Sequence, residues 1–398
     1  MAFFKYFFRN NRIYLDYASS TPVDRKMISL FPRIPDSVLA ANPSALHSEG
    51  VALRRLLRAA RERVARVLHA HADEIIFTSS ATESDNLALS GAIAALRAQG
   101  VGYDEIMITI SALEHSAVSE TVAALATQGV SVHILDTEEG VINPKDISVP
   151  AGIKAMIVSV MYVSNEIGTV QPITDIAKRI RFLRKENPTV RIIFHTDATQ
   201  APLHFALNAS KLGIDMMTLG ATKLYTPKGV GVLYVRRGTP IVSSMHGGGQ
   251  EYRLRPGTQP VDLIVQFAYA LEYAQTQVPA YTEKTRALQN YFETEVVKAI
   301  EGVRITGSTQ ERTPHISHIA IQGFDSELLV IELDARGVAV SSKSACKNED
   351  SEESSFVEKM YGKGWGAVRF SFGRTTTVHD IDRAIKALSS VVKKYRSL

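Results

Sequence analysis

The feature that most constrains this chain is an alternation of two patterns along its first two thirds. Short apolar runs rich in β-branched residues stand at Glu74–Thr78, Ile106–Ile110, Val130–Leu135, Ala155–Met161, Arg191–Thr196 and Met216–Leu219. Between them lie segments of helical periodicity at Glu83–Ala98, Ser116–Thr127 and Ile173–Lys185, and an earlier amphipathic stretch at about Ala45–His69. Apolar strands separated by helices predict an α/β fold with a mainly parallel sheet covered by helices on both faces. The early helix is expected to carry Arg54, Arg55, Arg58 and Arg61 on its polar side. From Val261 the pattern changes to long helices at Leu263–Gln275 and Glu283–Ile300, strands at Val303–Thr306 and Ile316–Ile321, and helices at Glu327–Arg336 and Ile381–Tyr395. We therefore expect a large domain over 13–260 and a smaller α+β domain over 261–398, with an amino-terminal arm, 1–12, packing on it.

Composition narrows the function classes. A chain of 398 residues with 45% hydrophobic and 22% charged residues has enough apolar content for sizeable cores, and is not the composition of a disordered protein. The net charge of +4 is too small and too evenly spread to point to direct nucleic-acid binding. One cysteine, Cys346, excludes an intramolecular disulfide and a cysteine-rich metal site, and no metal is expected. No stretch approaches the roughly 20 apolar residues of a membrane span. The arm MAFFKYFFRNNR is interrupted by Lys5 and Arg9 and lacks a small-residue cleavage site, so it reads poorly as a signal peptide. A cytoplasmic protein is expected.

Five constellations could carry chemistry. Lys223 follows a strand and a small-residue turn, near Gly220, Gly229 and Gly231. It is either a solvated surface charge or an amine lowered in pKa by burial and suited to forming a Schiff base. Asp197, with Gln200 three residues on, ends a buried strand, where open α/β sheets place ligands. It could cap a helix or pair with a protonated ring nitrogen. Ser80-Ala81-Thr82-Glu83-Ser84 stands between a strand and a helix and reads as a capping box or as an anion site. His246–Thr258, HGGGQEYRLRPGT, holds two flexible turns. Cys346 precedes the polar run KNEDSEESS and lies between Lys343 and Lys347, which could favour its thiolate. This polar loop is expected to be mobile. Arg369, beyond the loop, suits either surface contacts or a carboxylate ligand.

The order of these pieces is more specific than any one of them. IYLDYASSTPVD, FTSSATESDNLAL, EHSAV, SNEIGTVQPI, DATQ, the Lys223 turn, GGGQE, RPGT, SAC and RFSFGR follow one another along essentially the whole chain. In this order the sequence resembles the cysteine desulfurases of the class-V aminotransferase superfamily, which depend on pyridoxal 5'-phosphate. The resemblance implies that Lys223 holds the cofactor, Asp197 pairs with its ring nitrogen and Gln200 with its phenolic oxygen. It implies further that His115 stacks on the ring beside Asn165, and that Ala81 and Thr82 hold the phosphate with Thr222. Thr258 would reach the phosphate of a partner subunit in a homodimer. Arg369, with Asn165, would bind the carboxylate of L-cysteine. Cys346 would take the sulfur as a persulfide and pass it to an acceptor protein, a scaffold or a sulfur carrier, for iron–sulfur cluster assembly.

The resemblance has gaps. The family's Ser-Gly-His before the lysine reads Gly220-Ala221-Thr222 here, and a glycine expected before Ser-Ala-Cys is Lys343. The first change removes a serine and a histidine from the phosphate. A selenocysteine lyase or an aminotransferase of the superfamily, or a non-catalytic cofactor-binding scaffold, would share many of the same residues. Cys346 on a long loop favours the desulfurase among them.

Overall fold

The computed structural model describes residues 12–342 and 356–397. Twelve strands follow in chain order: β1 (Ile13–Tyr14), β2 (Ile75–Thr78), β3 (Ile106–Ser111), β4 (Ser131–Leu135), β5 (Ala155–Ser159), β6 (Arg191–Asp197), β7 (Met216–Gly220), β8 (Gly231–Val235), β9 (Val303–Ile305), β10 (Ile316–Gln322), β11 (Val338–Ala339) and β12 (Trp365–Ser371). The chain divides into two compact units. The larger holds 22–163 and 171–278; the smaller holds the described residues of 1–21, 164–170 and 279–398.

The larger unit is built on one seven-stranded sheet of order β2-β8-β7-β6-β5-β3-β4. Only β8 runs antiparallel to its neighbours; the other adjacent pairs are parallel. Every residue of β3, β5 and β7 is buried, as strands covered on both faces require. Edge strand β4 is the exception, with Val132 and Ile134 exposed. The expected strands are all present within a few residues of their predicted ends. β8 falls outside the expected strand ranges.

The smaller unit carries a three-stranded antiparallel sheet, β12-β10-β9, and a parallel pair, β1-β11. Helix Val278–Ala299, apart from its first residue, and helices Ser326–Ala335 and Val378–Arg396 pack on these strands. Phe292 sits at the centre of that core, with ring centroids 4.6 Å from Phe370 and 5.7 Å from Phe372. Ile13 and Leu15 belong to the same core. Residues 164–170 join it through backbone bonds from Val170 N to Glu311 O and from Thr313 N to Gly168 O, both 2.8 Å.

These units correct the expected division at residue 260. Helix Val261–Thr276 packs along helix Ser48–Leu68 and belongs to the larger unit, so the boundary falls at 278. The segment 13–21 belongs to the smaller unit because β1 pairs with β11. Of the amino-terminal arm only Arg12 is described; it pairs with Asp334 of the smaller unit. Among the described residues no helix is long and apolar enough to cross a membrane.

Arg61 also departs from expectation. Helix Ser48–Leu68 exposes Arg54, Arg55 and Arg58 but buries Arg61. The cause is Glu251, 190 residues on, whose carboxylate takes a fork of bonds from Arg61 at 2.7 and 2.6 Å. Glu251 also accepts from Phe77 N at 2.9 Å and Gln259 Nε2 at 3.0 Å. The Arg61 guanidinium lies against the rings of Phe77 and Tyr252. These bonds hold a turn in which Glu251, Tyr252 and Arg253 all take positive φ, at 46°, 58° and 67°. Three consecutive non-glycine residues in that region are costly and persist only when surrounding contacts fix them. Arg61→Ala leaves a buried carboxylate unpaired and is expected to lower stability by about 3–5 kcal/mol. Arg58→Ala, on the exposed face, changes it by less than about 1 kcal/mol. Urea titration of the two variants checks the contrast.

Candidate active site

Residues that the sequence scatters over 140 positions meet at the carboxyl end of the large sheet. Asp197 is the last residue of β6 and is 9% exposed. Its Oδ1 accepts from Thr199 N at 2.8 Å, which closes a local turn rather than capping a helix. Gln200, in the same turn, is buried. Lys223 ends a short 3-10 turn, Ala221–Lys223, that directly follows β7, the neighbour of β6. His115 precedes helix Ser116–Ala126, and its Nδ1 accepts from Ala117 N at 3.1 Å. That bond fixes the ring's plane and leaves the proton of the neutral imidazole on Nε2. Burial lowers the His115 pKa; Asp197 opposes the shift and Lys223 adds to it. The three side chains thus lie within each other's field.

The amino end of helix Ala81–Ala98 adjoins this group. Ser80 caps it by accepting from Glu83 N at 3.1 Å. Glu83 in turn accepts from Ser79 N at 2.8 Å and from Arg255 Nε at 2.9 Å. The capping and anion-site readings are therefore compatible: the cap occupies Glu83 N, while the Ala81 and Thr82 amides at the helix start have no intrahelical acceptor. Gly220 faces the same helix end. A Cβ placed there would stand 3.1 Å from the Ala81 Cβ and 3.5 Å from Thr199 Cγ2. That crowding is the physical correlate of glycine at this position, because a serine would require its neighbours to give way. Thr222 is half-buried in the lysine turn. Thr258 is exposed on the larger unit, beyond the strained turn held by Arg61 and Glu251.

Asn165 and Arg369 belong to the smaller unit. Arg369 is 2% exposed, in the middle of β12. Its Nη1 donates to Asn165 O at 2.5 Å, and its Nη2 to Asp16 Oδ1 at 2.8 Å and Ser19 Oγ at 2.5 Å. Its buried Nε has no partner among the described residues. The surface-contact reading of Arg369 is thus excluded. Cys346, with Lys343 and Lys347 beside it, lies outside the described residues, as does the expectation of a mobile loop there.

Two acidic residues of the larger unit were missed by the sequence reading. Glu114, beside His115, is buried; its Oε1 accepts from Ser111 Oγ and from Met161 N at 2.9 Å, and its Oε2 has no partner among the described residues. Burial, reinforced by the charge of Asp197, pushes its pKa up to about 8. Asp85 lies under the sheet, its Oδ1 3.6 Å from His195 Nε2. Burial first and Asp197 next raise its carboxyl well above the usual range. The signal for Asp85 was present: it shares a helical face with Ala88, Leu89 and Ala92, all buried. Glu114 had only its place in EHSAV.

A carboxyl raised in the fold stabilises it below the unfolded pKa, and this contribution is lost as pH rises through the folded value. Glu114 therefore favours the fold fully below about pH 4.5 and loses its contribution as pH approaches about 8. Glu114→Gln, which cannot ionise, is expected to remove a fall in stability on the order of a few kcal/mol across that window. Melting temperatures of the two proteins should diverge with rising pH, the variant being the less pH-sensitive.

The class-V aminotransferase family matches residues 13–384. A cysteine desulfurase IscS of Vibrio vulnificus is 37% identical over 397 residues, covering 97% of this chain and 94% of that protein. Among solved structures, a NifS-like protein aligns with a TM-score of 0.82 at 27% identity, over 96% of this chain and 100% of that one. The structure of SspA in complex with cysteine aligns with a TM-score of 0.72 at 31% identity, over 91% of this chain and 99% of that one. The chain belongs to the class-V aminotransferase family, and within it to the cysteine desulfurases.

Proposed function

We propose that this cysteine desulfurase acts on L-cysteine with pyridoxal 5'-phosphate, releases L-alanine and carries the sulfur on Cys346. The observation that carries the reading is the convergence of Lys223, Asp197 and His115 beside the start of helix Ala81–Ala98. That donor set fits the cofactor. The Ala81 and Thr82 amides, with the Thr82 and Thr222 hydroxyls, suit its phosphate, because a helix start presents free N–H groups and positive partial charge. Asp197 offers a carboxylate to its ring nitrogen, Gln200 an amide to its phenolic oxygen, and Lys223 an amine to its carbonyl carbon. His115, its plane fixed by Ala117 N, offers a flat neutral ring to stack on. When bound, pyridoxal phosphate supplies an electron sink that weakens the bonds around the substrate's α-carbon.

The chain's own residues supply the rest. Arg369 takes the substrate carboxylate, beside Asn165; its unpartnered Nε supports this, since a guanidinium fork has an N–H left to give. The Cys346 thiolate attacks the substrate sulfur. A sulfur–sulfur bond forms as the carbon–sulfur bond breaks, and the carbon keeps the electron pair and takes a proton, leaving alanine. The Nε2 proton of His115 is placed to serve in proton movement at the substrate. The persulfide on Cys346 passes to an acceptor protein, a scaffold or carrier of iron–sulfur cluster assembly. The exposure of Thr258 supports a homodimer in which that residue reaches the partner's phosphate site. A single cysteine that must remain reduced fits a cytoplasmic enzyme.

The decisive experiment measures alanine and sulfide formed from cysteine with dithiothreitol present. The native protein is expected to form both in equal amounts. Cys346→Ala should retain the cofactor's absorbance and lose sulfide release; turnover at the native rate would assign the nucleophile elsewhere. Arg369→Lys loses a charge-assisted bond of roughly 1.5–3 kcal/mol, so KM for cysteine should rise about tenfold or more with the cofactor spectrum unchanged. An unchanged KM would separate Arg369 from the substrate.

A further inference from the structure

The end of the large sheet opposite Asp197 holds a second concentration of charge. A cleft of about 540 Å³ opens there, lined by Arg184, Arg191, Arg236 and Arg237 around one carboxylate, Asp215. Arg191 is the first residue of β6 and Asp197 the last. Six residue steps at about 3.3 Å put roughly 20 Å between them. Arg184 comes from helix Ile173–Glu186, and Arg236 directly follows β8, whose Val235 lies opposite Met216. Three separate elements thus bring guanidinium groups to one concavity.

Their pairing leaves an excess. Asp215 accepts from Arg184 Nη2 at 2.5 Å, Arg236 Nη1 at 3.2 Å and Phe194 N at 2.8 Å. Asp73 takes Arg237 in a fork at 2.9 and 2.7 Å, and Glu74, which accepts from Arg237 N at 2.9 Å, adds a further negative charge beside it, so three carboxylates face four arginines. Arg191 has no acidic partner among the described residues and is exposed. One buried carboxylate shared by two arginines, with Ile192 O accepting from Arg184 Nε and Nη2 at 3.2 and 2.7 Å, holds both guanidinium planes ordered without neutralising both and leaves Arg184 Nη1 to give. Ordered, under-neutralised guanidinium forks match the geometry of phosphate oxygens. No aromatic side chain lines the cleft, so it offers no platform on which a nucleobase could stack.

We propose that this cleft binds a small anion carrying two adjacent phosphate groups, recognised by Arg191 together with the Asp215-ordered Arg184 and Arg236. Neither cysteine nor the phosphate of the cofactor accounts for it, since both are used at the other end of the sheet. The test is calorimetric titration of inorganic pyrophosphate into the cofactor-loaded enzyme, in which the start of helix Ala81–Ala98 is already occupied. One saturable site per chain is expected, weakened about tenfold or more by Arg191→Gln and less by Arg191→Lys, which keeps the charge but not the fork. Desulfurase activity of both variants should equal the native value, which shows that the fold is intact. No saturable binding up to about 10 mM pyrophosphate, at an affinity worth only a few RT, would overturn the proposal. Binding that is unchanged by Arg191→Gln, or citrate binding as tightly as pyrophosphate, would do so too.

Discussion

Three carboxylates crowd the interior at the carboxyl end of the large sheet, and burial together with the charge of Asp197 raises the pKa of the other two. Asp85 and Glu114 are fully enclosed, and each feels Asp197 as a repelling neighbour. Three anions in that volume would carry a large cost in desolvation and mutual repulsion. The raised pKa values of Glu114 and Asp85 are the expression of that cost. Glu114 keeps an acceptor role through Met161 N, which ties the residue before His115 to the loop after β5. The arrangement places acids in a low-dielectric floor while reserving the position at the strand end for Asp197.

Lys223 and Asp197 were legible in the sequence because each follows or closes a recognisable element. A strand end announces Asp197, a glycine-rich turn announces Lys223, and a strand-to-helix turn announces Thr82, whereas His115 came only with the family resemblance. The alternation of strands and helices was equally plain, since fully buried strands need uninterrupted apolar runs. What the sequence hid depends on partners remote along the chain. Arg61 reads as one more arginine on a polar helix face until Glu251 is brought to it. Arg369 reads equally as a surface residue or a carboxylate ligand until Asp16 and Ser19, more than 300 positions earlier, fold over it and exclude the first. The domain boundary was misplaced for a related reason: periodicity identifies helix Val261–Thr276 but not the helix on which it packs.

The large sheet separates two kinds of chemistry by its own length. Parallel strands deliver their carboxyl ends, and the loops that follow them, to one edge, and that edge gathers the lysine, histidine and carboxylates. Their amino ends, with the carboxyl end of β8, deliver arginines to the other. Salt screening over about 8–10 Å makes the exposed arginines electrically remote from Lys223. The same scaffold can therefore hold an acidic interior at one edge and a basic cleft at the other without either setting the charge state of its counterpart.

The pairing of β1 with β11 has a consequence for how the protein is made. Ile13 and Leu15 leave the ribosome well before Val338, Ala339 and Ser371, to which their strand bonds and which come more than 300 residues later. At about 5–20 residues per second, the first strand waits roughly a quarter of a minute to a minute for its partner. During that wait the sequence of the larger unit is completed, so the sheet that carries Lys223 can form first. Asp16 and Ser19 reach Arg369 only after β12 has been made, more than 300 residues later. Arg369 is thus put in place only after the larger unit's sequence is complete, and a chain stopped short of β11 would present an orphaned amino-terminal strand to the cell's quality control.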